Sequence, residues 1–218
     1  MVVTGYVEIP NHPRGATTYD QLGQQLGALR EAPIRPFRGT IEDCWLHQAA
    51  RIAMAGGSVE HATGDNPVKN TLAYHSVQHQ KTAWLQEAVR TDRRADVVVW
   101  LDYGILHQPG VTIEIIDAFL RRVREKEFLE EVAIPGAWAR SSRAIDQPDW
   151  RFCGSATIVP RYLVRSFHQA VLDVTLERLA KTGRVTWEIN DWAVVESLGL
   201  LPIRWYAANH DQTQFTNY

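Results

Sequence analysis

The most suggestive chemistry in this chain centres on Asp102, which directly follows the apolar run Val97-Val98-Val99-Trp100-Leu101. An acid in that position sits at the rim of a sheet, where it either meets a ligand or caps the turn that Gly104 signals. Near the other end of the chain, His210 and Asp211 stand in a polar segment. A neutral imidazole there could share a divalent ion with Asp102, and a merely solvated histidine is the alternative.

Glu188 and Asp191 are three residues apart, so a helix beginning at that point carries both on one face. Such a pair can act as general base and orienting group, or it can simply complement the positive end of the helix dipole. Lys81 is a cation that could hold a diphosphate if its helix brings it to the sheet rim. His75 and His79 have the spacing of a metal-binding pair. No glutamate follows His75 and no third ligand is signalled, so they are expected on a polar helix face.

These side chains need a scaffold, and the patterning supplies one. Residues 2–9 mix β-branched and aromatic side chains and stop at Pro10-Asn11-His12-Pro13, a strand running into a loop. Residues 96–102 form a continuous apolar run with polar ends, as a strand covered on both faces requires. Further strands are expected over 128–134, within 150–159 and over 203–207.

Apolar spacing of three and four predicts helices over 19–30, 72–89, 112–126 with Thr112 as a cap, 160–179 stopped by Gly183, and 186–198. Between 32 and 70 only a helix over 44–55 and turns at Gly56-Gly57 and 63–67 are suggested. Strands alternating with helices indicate an α/β fold, with a mostly parallel central sheet covered by helices on both faces. One domain over 1–218 is expected from the length.

Composition removes several classes. A net charge of −2 with no long run of like charges lacks the footprint of a phosphate-binding nucleic-acid surface. Cys44 and Cys153 lie far apart, which supplies neither a disulfide framework nor a cysteine metal site and fits a reducing, cytoplasmic setting. No apolar stretch is long enough to span a membrane, and the first residues do not read as an export signal. Phosphate-loop, dinucleotide and nucleophile-elbow motifs are absent. What remains for rim carboxylates is metal-assisted or charge-assisted group transfer.

Taken together, the chain resembles the GT-A glycosyltransferases, and most closely the bacterial HtrL/YibB-like glycosyltransferase family. The resemblance rests on Val3-Thr4-Gly5-Tyr6, on Lys81 through Glu87 and Ala88, and on Trp100-Leu101-Asp102-Tyr103-Gly104. It extends through Phe152-Cys153-Gly154-Ser155, Trp187-Glu188-Ile189-Asn190-Asp191 and the tail from His210 to Tyr218.

The resemblance implies a nucleotide-sugar donor, a UDP-sugar by preference, and a divalent cation, Mn²⁺ or Mg²⁺. Thr4 and Tyr6 would contact the nucleobase, Lys81 the diphosphate, and Asp102 with His210 the metal, with Gly104 completing the donor segment. Gly154 would let the backbone approach the sugar, while Glu188 and above all Asp191 would face the acceptor. That acceptor could be a glycan, a lipid-linked intermediate, a protein or a modified nucleobase. The usual two-acid element is here reduced to Asp102 alone, since Trp100 and Gly104 occupy the flanking positions. Two rivals accompany this expectation. One is a non-catalytic nucleotide-sugar-binding or interaction protein of the same fold; the other is a nucleotidyltransferase whose loop after the first strand would have only Arg14-Gly15.

Overall fold

The computed structural model describes residues 1–9, 16–55, 57–61, 67, 69–126, 129–143 and 146–218. The Arg14-Gly15 loop and Phe128 therefore lie outside the described residues. In chain order the elements are β1 (Val2–Val7), α1 (Ala16–Leu26), β2 (Ile34–Gly39), α2 (Trp45–Met54), β3 (Glu60–His61), α3 (Leu72–Thr91), β4 (Val97–Leu101) and α4 (Ile113–Glu125). There follow β5 (Val132–Gly136), β6 (Ala156–Pro160), α5 (Arg161–Thr182), β7 (Arg184–Val185), α6 (Glu188–Ser197), β8 (Ile203–Ala207) and α7 (Thr213–Thr216).

The main sheet has the order β2-β1-β4-β6-β5-β8, with β4 in its interior. Five strands point the same way, and β6 runs against both of its neighbours. A parallel pair, β3 and β7, forms a small second sheet.

The apolar run of β4 is explained by strand geometry: alternate side chains point to opposite faces, so a strand covered on both sides needs apolar residues throughout. Val98 and Trp100 enter the core that includes Trp84 of α3, Phe167 of α5 and Trp192 of α6. Val99 and Leu101 enter the other core, with Leu26 of α1, Phe119 of α4 and Phe215 of α7. The Thr112 side chain caps α4 by accepting from Ile115 N, and Gly183 ends α5 at φ 65°, a left-handed position that glycine adopts without strain.

The segment without a clear sequence pattern contains β2. It lies at the sheet edge, pairs only with β1 and carries Pro36. Edge strands tolerate proline and exposed side chains because one side needs no ladder, which is why its pattern is weak. The expectation of a polar face at His75 and His79 is corrected: both are buried, because α3 packs against α2 and α5 as well as the sheet. No described helix is long and apolar enough to cross a membrane.

Candidate active site

Period two along β4 puts Asp102 on the same side as Trp100, the side covered by α3. The Trp100 indole N–H donates to Asp102 Oδ1 at 2.8 Å, and the Asp102 backbone N–H donates to Ser155 O at 2.9 Å. Trp100 stacks in turn on Trp84 of α3, with ring centroids 5.7 Å apart. Gly5 permits this close approach, since a Cβ there would stand 2.3 Å from the Trp84 ring. One turn earlier on α3, Lys81 reaches the same rim.

Lys81 is buried, and its ammonium lies 2.8 Å from Glu188 Oε1, 2.8 Å from Gly154 O and 3.0 Å from Asp102 Oδ1. An ammonium has three hydrogens, so three oxygens saturate it. Burial opposes the charge, but Asp102 and Glu188 outweigh it and raise the pKa of Lys81. Lys81, expected at a diphosphate, stands here as an internal counter-ion that joins β4 to the start of α6. Gly154, expected to let the backbone approach a sugar, also makes room for Glu188 at this junction, because a Cβ would lie 2.1 Å from Glu188 Oε1.

Asp102, Lys81, Gly154, Glu188 and His210 line one cavity of about 690 Å³, together with Tyr19, Gln108, Asp146, Trp150 and Trp187 among others. His210 arrives there because the chain's end folds back rather than trailing into solvent. Phe215 is buried against Phe119, and the Gln214 side-chain amide bonds Gln108 Oε1 at 2.5 Å. The His210 ring stands edge-on to Trp150 at 4.6 Å. Burial lowers the pKa of His210, partly opposed by the charge of Asp102, so the ring is neutral at pH 7. Its Nδ1 lies 3.8 Å from the Cys153 sulfur, but burial pushes that thiol up to about 12 and leaves it protonated. Asp102 and His210 are two of the lining side chains that could hold a hard or borderline cation.

Asp191 is not on this cavity. Its carboxylate is fully buried between helices, 2.9 Å from His79 Nε2, 2.6 Å from the Thr175 hydroxyl and against the Arg178 guanidinium. Burial works to raise its pKa, yet His79, Arg178 and Thr175 prevail and lower it. The carboxylate expected as the acceptor-side base thus ties α3, α5 and α6 together, away from the residues that line the cavity.

Thr4, expected at a nucleobase, is also buried and is not among the residues that line the cavity. Tyr6 stacks on Tyr103 at 5.2 Å and packs against Tyr19 at 5.6 Å. Of these three rings only Tyr19 lines the cavity, so Tyr6 supports the wall rather than forming it. Gly104 likewise stands outside the lining; a Cβ there would meet the Tyr19 ring at 2.6 Å. Sequence reasoning missed Asp146 and Trp150, whose only local signal is the turn-forming Asp-Gln-Pro-Asp before the tryptophan.

No family model and no curated protein matches the sequence. Solved structures do share its fold. A glycosyltransferase involved in glycosylation of the major capsid of PBCV-1 aligns with TM-score 0.51 and 9% identity, over 95% of this chain and 81% of that one. Mouse xyloside xylosyltransferase 1, in its apo form, aligns with TM-score 0.50 and 8% identity, over 94% and 84%. The galactosyltransferase LgtC, solved with donor and acceptor sugar analogues, aligns with TM-score 0.49 and 9% identity, over 94% and 72%. The α/β architecture read from the sequence, with its mostly parallel central sheet, is thus one that glycosyltransferases adopt.

Proposed function

We propose that this chain is a glycosyltransferase that moves a sugar from a nucleotide-diphosphate donor, by preference a UDP-sugar, to an acceptor hydroxyl. The observation that carries this reading is Asp102 at the carboxyl end of β4, opening into a cavity that Glu188 and His210 share. Ligands collect at that edge of an α/β sheet, and the fold is shared with glycosyltransferases. The Trp100-Leu101-Asp102-Tyr103-Gly104 element, with its lone acid, makes the HtrL/YibB-like enzymes the family we propose within that class.

The charges of the site support a role for a cation. Asp102 and Glu188 against Lys81 leave one net negative charge in this triad. Lys69 and Asp146, which line the same cavity, offset each other, so one net negative charge remains to oppose a diphosphate. Asp102 is 32% exposed toward the cavity, and His210 is in the neutral form that ligates metals. An oxygen and an imidazole nitrogen suit Mn²⁺ better than Mg²⁺, which prefers oxygen alone, and two protein ligands leave positions for phosphate oxygens and water. Among the described residues no three such side chains converge, so these two ligands would fill two of six octahedral positions rather than form a closed cage. A bound divalent cation would neutralise charge on the leaving diphosphate.

Asp102 is held for this role by the indole of Trp100 and the ammonium of Lys81. Glu188, pinned by the same ammonium, presents a carboxylate that favours the positive charge developing at the anomeric carbon. The deciding experiment is thermal unfolding with a panel of nucleotide sugars, each with and without Mn²⁺, coupled to an assay of nucleoside diphosphate release. A donor at one hundred times its Kd should add about 2.7 kcal/mol. For a chain of this size that corresponds to roughly 5–10 °C. Asp102→Ala should abolish the Mn²⁺-dependent part of the shift. If no nucleotide sugar raises the melting temperature under either condition and no nucleoside diphosphate is released, the reading fails.

A further inference from the structure

We propose that Asp146 and Trp150 form the acceptor subsite, and that the acceptor they hold is a neutral carbohydrate. This rests on the glycosyltransferase reading and names the substrate class of its second half.

The first observation concerns charge. Three described carboxylates, those of Asp102, Glu188 and Asp146, line the cavity. Lys81 engages the first two, and Asp191 is sealed away from the cavity altogether. Asp146 is exposed and pairs with no cation among the described residues, which leaves both carboxylate oxygens open to hydroxyl donors.

The second observation is that the loop bearing Asp146 is built to stay in place. Asn190 of α6, itself buried, donates from Nδ2 to Gln147 O at 2.9 Å and accepts from Asp149 N at 2.8 Å. Asp149 is buried too. Its carboxylate accepts from Arg151 N at 3.1 Å, from Arg143 N at 3.2 Å and from the Ser141 hydroxyl. Trp150 O accepts from Ala137 N at 2.9 Å and from Trp138 N at 2.8 Å. These contacts fix the backbone on both sides of Trp150 and just after Asp146, while the Asp146 side chain and the indole remain on the cavity. A wall whose backbone is already ordered binds without the entropic cost of ordering it.

The third observation is the chemistry of that wall. Trp150, Asp146, Gln78 and Gln147 line the same cavity, and an indole, a carboxylate and amides together match a sugar ring, which offers an apolar C–H face and a rim of hydroxyls. A lipid tail would meet these polar groups with nothing to satisfy them. An anionic acceptor would meet a described lining in which three carboxylates outnumber the ammonium groups of Lys69 and Lys81. Trp150 also touches His210, which stands beside Asp102, so the subsite adjoins the donor side of the same cavity.

The experiment titrates the protein, saturated with UDP and Mn²⁺, with methyl glycosides of glucose, galactose and xylose and with lactose and cellobiose, following tryptophan fluorescence. UDP affinity is measured separately by calorimetry. At least one saccharide should bind, and Asp146→Asn and Trp150→Ala should each weaken it about 10- to 100-fold while UDP affinity holds. Asp146→Asn changes an exposed side chain and should fold normally, so it carries the test should Trp150→Ala disturb the packing of His210. If saccharides bind equally well to the wild type and Asp146→Asn, or if none binds while UDP does, the subsite is wrong and the glycosyltransferase reading stands. If UDP fails to bind, the preference for a uridine donor falls, and the same titration without nucleotide still decides the saccharide site.

Discussion

Replacing Lys81 by methionine would keep most of the side chain's length and remove the ammonium on which the site converges. Three contacts would go, at 2.8 Å to Glu188, 2.8 Å to Gly154 O and 3.0 Å to Asp102. The two carboxylates would not suffer equally. Asp102 is 32% exposed and keeps its bond from Trp100, so water can replace the lost charge and its share is about 1 kcal/mol or less. Glu188 is 5% exposed and would be left charged without a partner.

Removing one member of a buried pair costs about 3–5 kcal/mol, so nearly all of the loss should come from Glu188. In a chain of this size that lowers the melting temperature by roughly 6–20 °C. Thermal and urea unfolding followed by circular dichroism would measure it, with Glu188→Gln and the double variant completing a cycle. Because Glu188→Gln removes the stranded charge, the coupling between the two positions should be about 2 kcal/mol. A loss below about 1 kcal/mol for Lys81→Met, or no coupling in the cycle, would show that the ammonium is not committed to Glu188 and is available to a diphosphate after all.

Asp191→Asn should act on stability, costing about 3–5 kcal/mol by leaving His79 and Arg178 without their carboxylate. The folded pKa of Asp191 is depressed, so its contribution is present above the unfolded value of about 3.9 and is lost as pH falls through the folded value. The gap between wild type and variant should be flat above about pH 5 and should close below about pH 4; a gap that widens in acid would contradict the ion pair. Gly154→Ala should destabilise by about 1–3 kcal/mol, because the new methyl group displaces Glu188 from Lys81. It should also lower donor-dependent nucleoside diphosphate release, and an unchanged melting temperature would argue against so tight a junction.

The sequence by itself determined those elements whose cause is local. The run over 97–101 could only be a strand covered on both sides, and it is; the cap at Thr112 and the stop at Gly183 bound helices where they were expected. Asp102 followed from the strand before it, because the position of a residue at a strand's end is a property of its immediate neighbours. β2 escaped notice because an edge strand with a proline needs no alternating pattern to survive.

What a side chain faces is decided elsewhere. Lys81 and Glu188 are 107 residues apart, and His79 and Asp191 are 112 apart. Spacing within α6 puts Glu188 and Asp191 near one another along the helix. It does not say that one opens on the cavity while the other is sealed against α3 and α5. That difference arises from packing, because whether a carboxylate is desolvated, paired or free depends on which distant elements close over it. His210 and Asp146 show the same limit. One reaches the site because Phe215 docks the chain's end against Phe119, and the other because Asn190 holds its loop, and both are contacts that form only when the layers come together.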